Sequence, residues 1–241
     1  MTWRKNMFRK WLKIKRIKTG FTLAEVLITL GIIGVVAAIT IPNLIANYKA
    51  QRLRSKFLKS YSTVQQVFKQ MEADDVSLNP DDYGASTFYR TFAGYLAGAT
   101  LCTNNTAKPN PLCYIRNLQG SSVYKGINNY YLDDGSILLP DGTLLMFENT
   151  VKTANPYVFV TVDLNGIKNP PNMAGFDTFT FEFKDGVLRT MGDINTQFQG
   201  DRYCDLDKVK TTSPSSNYGI ACAQKAKQDS EYFKTLVKKY K

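Results

Sequence analysis

Histidine does not occur anywhere in the 241 residues. Its absence removes Ser-His-Asp and Cys-His nucleophilic systems and the common zinc sites, all of which depend on an imidazole. Cysteine is scarce as well: Cys102, Cys113, Cys204 and Cys222 form no Cys-x-x-Cys pair, so neither a zinc ribbon nor a dithiol redox motif is present. No spacing of serine with lysine, or of paired carboxylates, points to another catalytic system, and the sequence is not read as an enzyme. Two further absences concern charge. Residues 1–20 contain no acid, and the stretch from Val26 to Ala46 contains no charged residue at all.

That uncharged stretch organises the chain. As a helix rising ~1.5 Å per residue it is long enough to cross a hydrocarbon core ~30 Å thick. One ionisable group, Glu25, stands at its head, where a carboxylate in apolar surroundings usually has a partner. The net charge of +11 suggests an acidic or nucleic-acid partner, but its distribution argues otherwise. Arg4, Lys5, Arg9, Lys10, Lys13, Lys15, Arg16 and Lys18 account for eight of the 31 basic residues, leaving 23 against 20 acids in the rest. The basicity is topological: it holds the N-terminus in the cytoplasm by the positive-inside rule, and nucleic acid is not the expected partner.

Three readings of the segment compete. A plain signal anchor would leave Glu25 at headgroup level. A cleaved secretory signal needs an apolar core of roughly 7–15 residues, shorter than this one, although Val36-Ala37-Ala38 is a weak cleavage candidate. The third follows from Gly20-Phe21-Thr22-Leu23-Ala24-Glu25, the basic stretch before it, and Pro42 at the twenty-second position after Gly20. These residues resemble the type IV pilin and pseudopilin superfamily, specifically from residue 20 to about 50 and only in general terms beyond about 72.

The resemblance implies cleavage after Gly20 by a membrane-embedded prepilin peptidase and methylation of the new amino terminus at Phe21. It implies that Glu25, fifth in the mature chain, pairs with the terminal amine of a neighbouring subunit. Each charge alone is costly in an apolar setting and tolerable as a pair, so the contact would set register between chains. Gly31, Gly34 and Pro42 would be the weak points of the helix. Met7 is an alternative start that would shorten a leader long for this type.

Past the apolar run, Ile41, Leu44, Ile45, Tyr48, Leu53, Phe57, Tyr61, Val64, Phe68 and Met71 recur mostly at steps of three or four. This pattern predicts that the helix continues to about Met71, its outer half lying on a globular domain. Residues 83–98 read as a short second helix and 99–128 as loop. Strands are expected at Ser136–Leu139 and Leu144–Phe147 around a Pro140-Asp-Gly-Thr143 turn, at Tyr157–Asp163, and at Thr178–Phe183 and Val187–Thr190 around Lys184-Asp-Gly186. A lysine-rich amphipathic helix is expected near 221–240. The fold class is α+β, a long N-terminal helix on a small antiparallel sheet. The expected organisation is a leader (1–20), a transmembrane and assembly half-helix (21–50), an outer half-helix (51–73) and an exported domain (74–241). In an exported domain four cysteines read as two disulfides. Of three connectivities, Cys102–Cys113 with Cys204–Cys222 closes the shortest loops.

Asp163-Leu-Asn165-Gly166, followed by Asp177, has the opening rhythm of an oxygen-ligand calcium loop but lacks the later acids of an EF-hand. Some pseudopilins carry calcium in such loops, so the resemblance admits calcium as a cofactor. The other reading is a tight turn in which Asp163 and Asn165 bond backbone amides. The sequence as a whole is read as a structural subunit, pseudopilin or minor pilin, of a type II secretion or type IV pilus-like filament. It would be held in the bacterial inner membrane by a single pass and would assemble with other subunits. The rival is a DNA-uptake or adhesive minor pilin whose exported domain binds a ligand.

Overall fold

The structure is a computed structural model, described over residues 20–84, 86–102, 112–113, 122–150, 156–211 and 216–240. The basic leader up to residue 19, Met7 included, and most of the expected loop at 103–121 lie outside the described residues. The chain divides between Leu44 and Ile45 into two units.

The first unit contains the start of helix α1 (Leu23–Ala73), which runs uninterrupted through Pro42. Proline has no N–H to give the carbonyl of Ala38, and yet the helix continues. Side chains lend the segment extra bonds: the Thr40 hydroxyl donates to the Val36 carbonyl at 2.9 Å and Thr29 does the same to Glu25. The apolar side chains here face outward, with Leu30 60% and Ile33 63% exposed.

In the second unit α1 behaves differently. Ala46, Ala50, Phe57, Ser60, Val64, Val67, Phe68 and Met71 are buried, and Leu53 and Tyr61 are partly so. Ile41, Leu44, Ile45 and Tyr48, in the half-helix read as lipid- or subunit-facing, are exposed, and the buried face also takes in Ala46 and Ala50. Two small residues a turn apart leave room for an aromatic neighbour, and Phe233 lies beside Ala50 at one groove.

The sheet is a six-stranded antiparallel meander in chain order. Its strands are β1 (Thr100–Cys102), β2 (Ser136–Leu138), β3 (Leu144–Thr150), β4 (Tyr157–Asp163), β5 (Thr178–Lys184) and β6 (Val187–Thr190). The β5–β6 turn puts Asp185 at φ 52° and Gly186 at φ 74°. Both values lie in the left-handed region that an Asp-Gly hairpin requires. Alternation along the strands sorts residues to two faces. Leu145, Phe147, Val158, Val160, Phe179, Phe181 and Phe183 join the core with α1, where Phe68 stacks on Phe183 at 3.9 Å between centroids. Leu144, Met146 and Phe159 point the other way, into a second cluster with Tyr124, Ile127, Leu132, Met191, Phe198 and Ile220.

The sheet is therefore covered on both faces, which a pattern of one long helix and short strands did not predict. Three other expectations change. The second helix is only α2 (Phe88–Ala93), with a 3-10 turn at Pro80–Asp82 before it. Strand structure begins at β1, inside the segment read as loop. The tail helix is split into α4 (Cys222–Gln228) and α5 (Tyr232–Lys239), preceded by α3 (Leu206–Thr211). The break falls at Asp229, whose carboxylate accepts the Glu231 amide at 2.8 Å and so competes with helix continuation. Disulfides join Cys102 to Cys113 and Cys204 to Cys222.

Candidate functional site

The head of α1 is built by a reciprocal pair of hydrogen bonds. Thr22 precedes the helix, and its hydroxyl accepts the Glu25 amide at 3.2 Å. Glu25 Oε2 in return accepts both the Thr22 amide and the Thr22 hydroxyl at 2.8 Å. This is a capping box, with threonine at the N-cap and glutamate three residues on, and it satisfies amides that the first turn leaves unpaired. Glu25 Oε1 has no hydrogen-bond partner among the described residues. The sequence reading assigned Glu25 but missed Thr22; the Thr-x-x-Glu spacing was the available signal.

Gly20 and Phe21 lie outside the helix, and no atom comes within 4 Å of the position a Gly20 Cβ would occupy. Phe21 is 88% exposed. The Gly20–Phe21 bond is therefore in exposed, non-helical chain. Gly20, Phe21, Thr22 and Glu25 come together within one turn, whereas Pro42 lies several turns along the helix and touches none of them. A Cβ added at Gly31 or Gly34 would likewise meet nothing within 4 Å, so these two glycines leave bare backbone patches on an apolar surface.

The loop between β4 and β5 gathers the residues read as a calcium candidate. Asp163 is buried; its Oδ1 accepts the amides of Asn165 (3.1 Å) and Gly166 (2.9 Å), and its Oδ2 accepts the Tyr124 hydroxyl at 2.8 Å. Asp177, equally buried, accepts the amides of Asn172 (3.1 Å) and Met173 (2.7 Å). Every carboxylate oxygen of the pair already has a donor, which is the arrangement of a hydrogen-bonded turn. Asn165 is turned to Asn169, each side-chain amide donating to the other's carbonyl. The oxygens left without a donor are Asn165 Oδ1 and Asn172 Oδ1, both buried; a cation would have to begin from these.

Burial raises the pKa of both acids. In Asp163 the hydrogen bonds from Tyr124 and the two amides oppose it, while Asp177 is pushed up to about 7, with the Asp163 charge adding to burial. Lys56, whose ammonium donates to the Leu164 carbonyl at 2.6 Å, is lowered by its own burial.

A second acidic group was not anticipated. Asp133, Asp134 and Glu148 have carboxylate oxygens within 4.8 Å of one another. Asp134 is held by the Asn149 amide (2.8 Å) and the Ser86 hydroxyl (2.7 Å). Glu148 is buried and is pushed up to about 8, by desolvation first and then by the charges of Asp134 and Asp133. Only the pairing of β3 with the turn before β2 brings these acids together, so no local spacing signalled them.

Residues 15–41 match the family model described as the prokaryotic N-terminal methylation motif. Comparison with curated proteins and with solved structures gives no match. The motif covers the open Gly20–Phe21 bond, the capped acid and most of the outward-facing apolar helix. It implies processing by a prepilin peptidase and assembly with other pilin subunits. The chain thus bears the type IV pilin and pseudopilin signature at the head of a long N-terminal helix.

Proposed function

We propose that the protein is a structural subunit, pseudopilin or minor pilin, of a type II secretion or type IV pilus-like filament. In this reading it is held in the inner membrane with its N-terminus cytoplasmic and its folded domain on the periplasmic side. It is trimmed after Gly20, methylated at Phe21 and added to a helical stack of subunits. It performs no catalysis of its own. The observation that carries the reading is the pairing of an outward-facing apolar helix with one acid, Glu25, whose Oε1 is uncommitted among the described residues. The apolar surface supplies cohesion with lipid and then with neighbouring helices. The second Glu25 oxygen receives the terminal ammonium of the next chain, fixing register. Pro42 shapes the same helix farther along.

The capping box dictates which substitution tests this. Glu25→Ala removes both the charge and the cap, whereas Glu25→Gln keeps an oxygen for the Thr22 amide and removes only the charge. Glu25→Gln is expected to insert in the membrane and to be cleaved after Gly20 as in wild type, read from the N-terminal peptide mass. Crosslinked multimers and sheared filaments are expected to be lost. An unmatched buried charge costs roughly 3–5 kcal/mol, or two to three powers of ten in affinity. Equal multimers in both proteins would reduce Glu25 to a capping residue and overturn the assembly role.

A further inference from the structure

Charge along the outer part of α1 and the turn after it is segregated. Residues 47–71 hold six basic side chains and no acid, and residues 72–82 hold five acids and no base. The chain neutralises only part of each block. Lys59 pairs with Asp141 at 2.6 Å, Arg54 donates to the Asp229 carbonyl, and Lys56 donates to Leu164. Lys49 and Arg52, both exposed, have no side-chain hydrogen bond or ion pair among the described residues. At the other end Glu72 is paired with Lys69 at 2.8 Å, Asp74 faces the Tyr95 hydroxyl and Asp82 accepts the Ser77 hydroxyl. Asp75 is exposed, and its carboxylate has no partner among the described residues.

The acidic block is also on the wrong end of its helix. The last turn of α1 carries no basic residue, yet Glu72, Asp74 and Asp75 crowd the terminus where the helix dipole is negative. Carboxylates there are unfavourable and cations favourable. Asp75 moreover sits at φ 54°, where its backbone closes the helix and leaves its side chain outward. One copy therefore has two oppositely charged ends, each lacking the counter-charge that the other possesses.

We infer that the basic row at Lys49 and Arg52 of one subunit docks on the acidic helix end around Asp75 of a second copy of this chain. This rests on the filament reading and adds to it an electrostatic contact on the folded domain, apart from Glu25. Within one chain the two cannot meet: Lys49 and Asp75 are 26 residues apart, or ~39 Å along a helix. Between two copies of the same chain shifted along their helices by about that length, they coincide. A membrane surface of anionic headgroups would also attract Lys49 and Arg52, but it would leave the Asp75 end uncompensated. A second copy compensates both ends in equal number.

The test uses sheared filaments of the full-length protein, because two copies inserted at one depth in a hydrocarbon core ~30 Å thick could not be offset by that length. A zero-length carbodiimide crosslink is mapped by mass spectrometry. A peptide joining Lys49 to Asp75 or Glu72 is expected, and the separation along the helix makes it intermolecular. Arg52→Glu and Asp75→Lys, each alone, are expected to lower multimer yield about fivefold, the equivalent of about 1 kcal/mol per exposed contact. Combined in one chain they are expected to restore it. Insertion and leader cleavage should be unchanged in both variants, and domain melting should be unchanged in Arg52→Glu, whose side chain is exposed. Wild-type multimers without the crosslinked peptide, or without loss in either variant, would overturn this contact and leave the filament reading standing. Loss in Arg52→Glu without rescue by Asp75→Lys would also overturn it and would point to lipid headgroups. If wild type itself forms no multimers, the filament reading falls and this contact with it.

Discussion

Helix α1 treats the same kinds of side chain in two opposite ways. Up to Leu44 its leucines, isoleucines and valines are exposed. From Ala46 on, its apolar face is covered: Phe57 is fully buried, in edge contact with Phe179 at 4.9 Å and Phe181 at 5.9 Å. Polar groups divide likewise. The first region excludes charge apart from one capped glutamate, while the folded domain buries Glu148, Asp163, Asp177 and Glu182. Helix propensity does not differ enough to cause this, since the helix is continuous. What differs is coverage: the second region packs on its own sheet, whereas the apolar side chains of the first are exposed.

The largest expected effect breaks the helix's symmetry directly. Phe57→Ala should destabilise the folded domain by about 3–5 kcal/mol, as a large buried aromatic lost from a close-packed core. Ile33→Ala, the same kind of truncation in the first region, should leave the domain's denaturant midpoint unchanged. Urea unfolding of the two proteins in detergent measures both. A comparable drop for Ile33→Ala would contradict the assignment of domain stability to the buried face of α1 alone.

A smaller effect tests the buried charges. Glu148 is raised from 4.5 to about 8 and Asp177 from 3.8 to about 7 on folding. For acids shifted upward the folded state binds more protons between the unfolded and folded values, so stability falls as pH rises through that window. The melting temperature should decline from pH 5 to pH 8 and level off above it. Glu148→Gln should flatten the upper part of that decline and melt higher than wild type at pH 8. A wild-type melting temperature that rises over this range would contradict the burial of both acids.

The smallest expected effect concerns calcium. Because all four carboxylate oxygens of Asp163 and Asp177 accept hydrogen bonds, adding calcium to chelated protein should leave melting unchanged. A rise by binding linkage, abolished in Asp163→Ala, would show that a cation displaces those donors through Asn165 and Asn172.

Much of this was written locally. The uncharged run, the Gly20–Phe21 junction, Glu25 and the hairpins at Asp141-Gly142 and Asp185-Gly186 are short-range patterns, and period and turn chemistry are properties of neighbouring residues. The Thr22–Glu25 box was equally local and simply passed unread. What required tertiary structure is of another kind. Coverage of the sheet's second face depends on where residues 122–132 and 191–203 return. The gathering of Asp133 and Asp134 with Glu148 depends on strand pairing. The hydrogen bonding of buried Asp163 draws on the Tyr124 hydroxyl, 39 residues away in the chain. The burial of Ala46 and Ala50, ahead of the half-helix expected on the domain, was decided by the folded domain around them. Hydrophobic periodicity marks which side of a helix is apolar, but what lies against that side is set by distant segments.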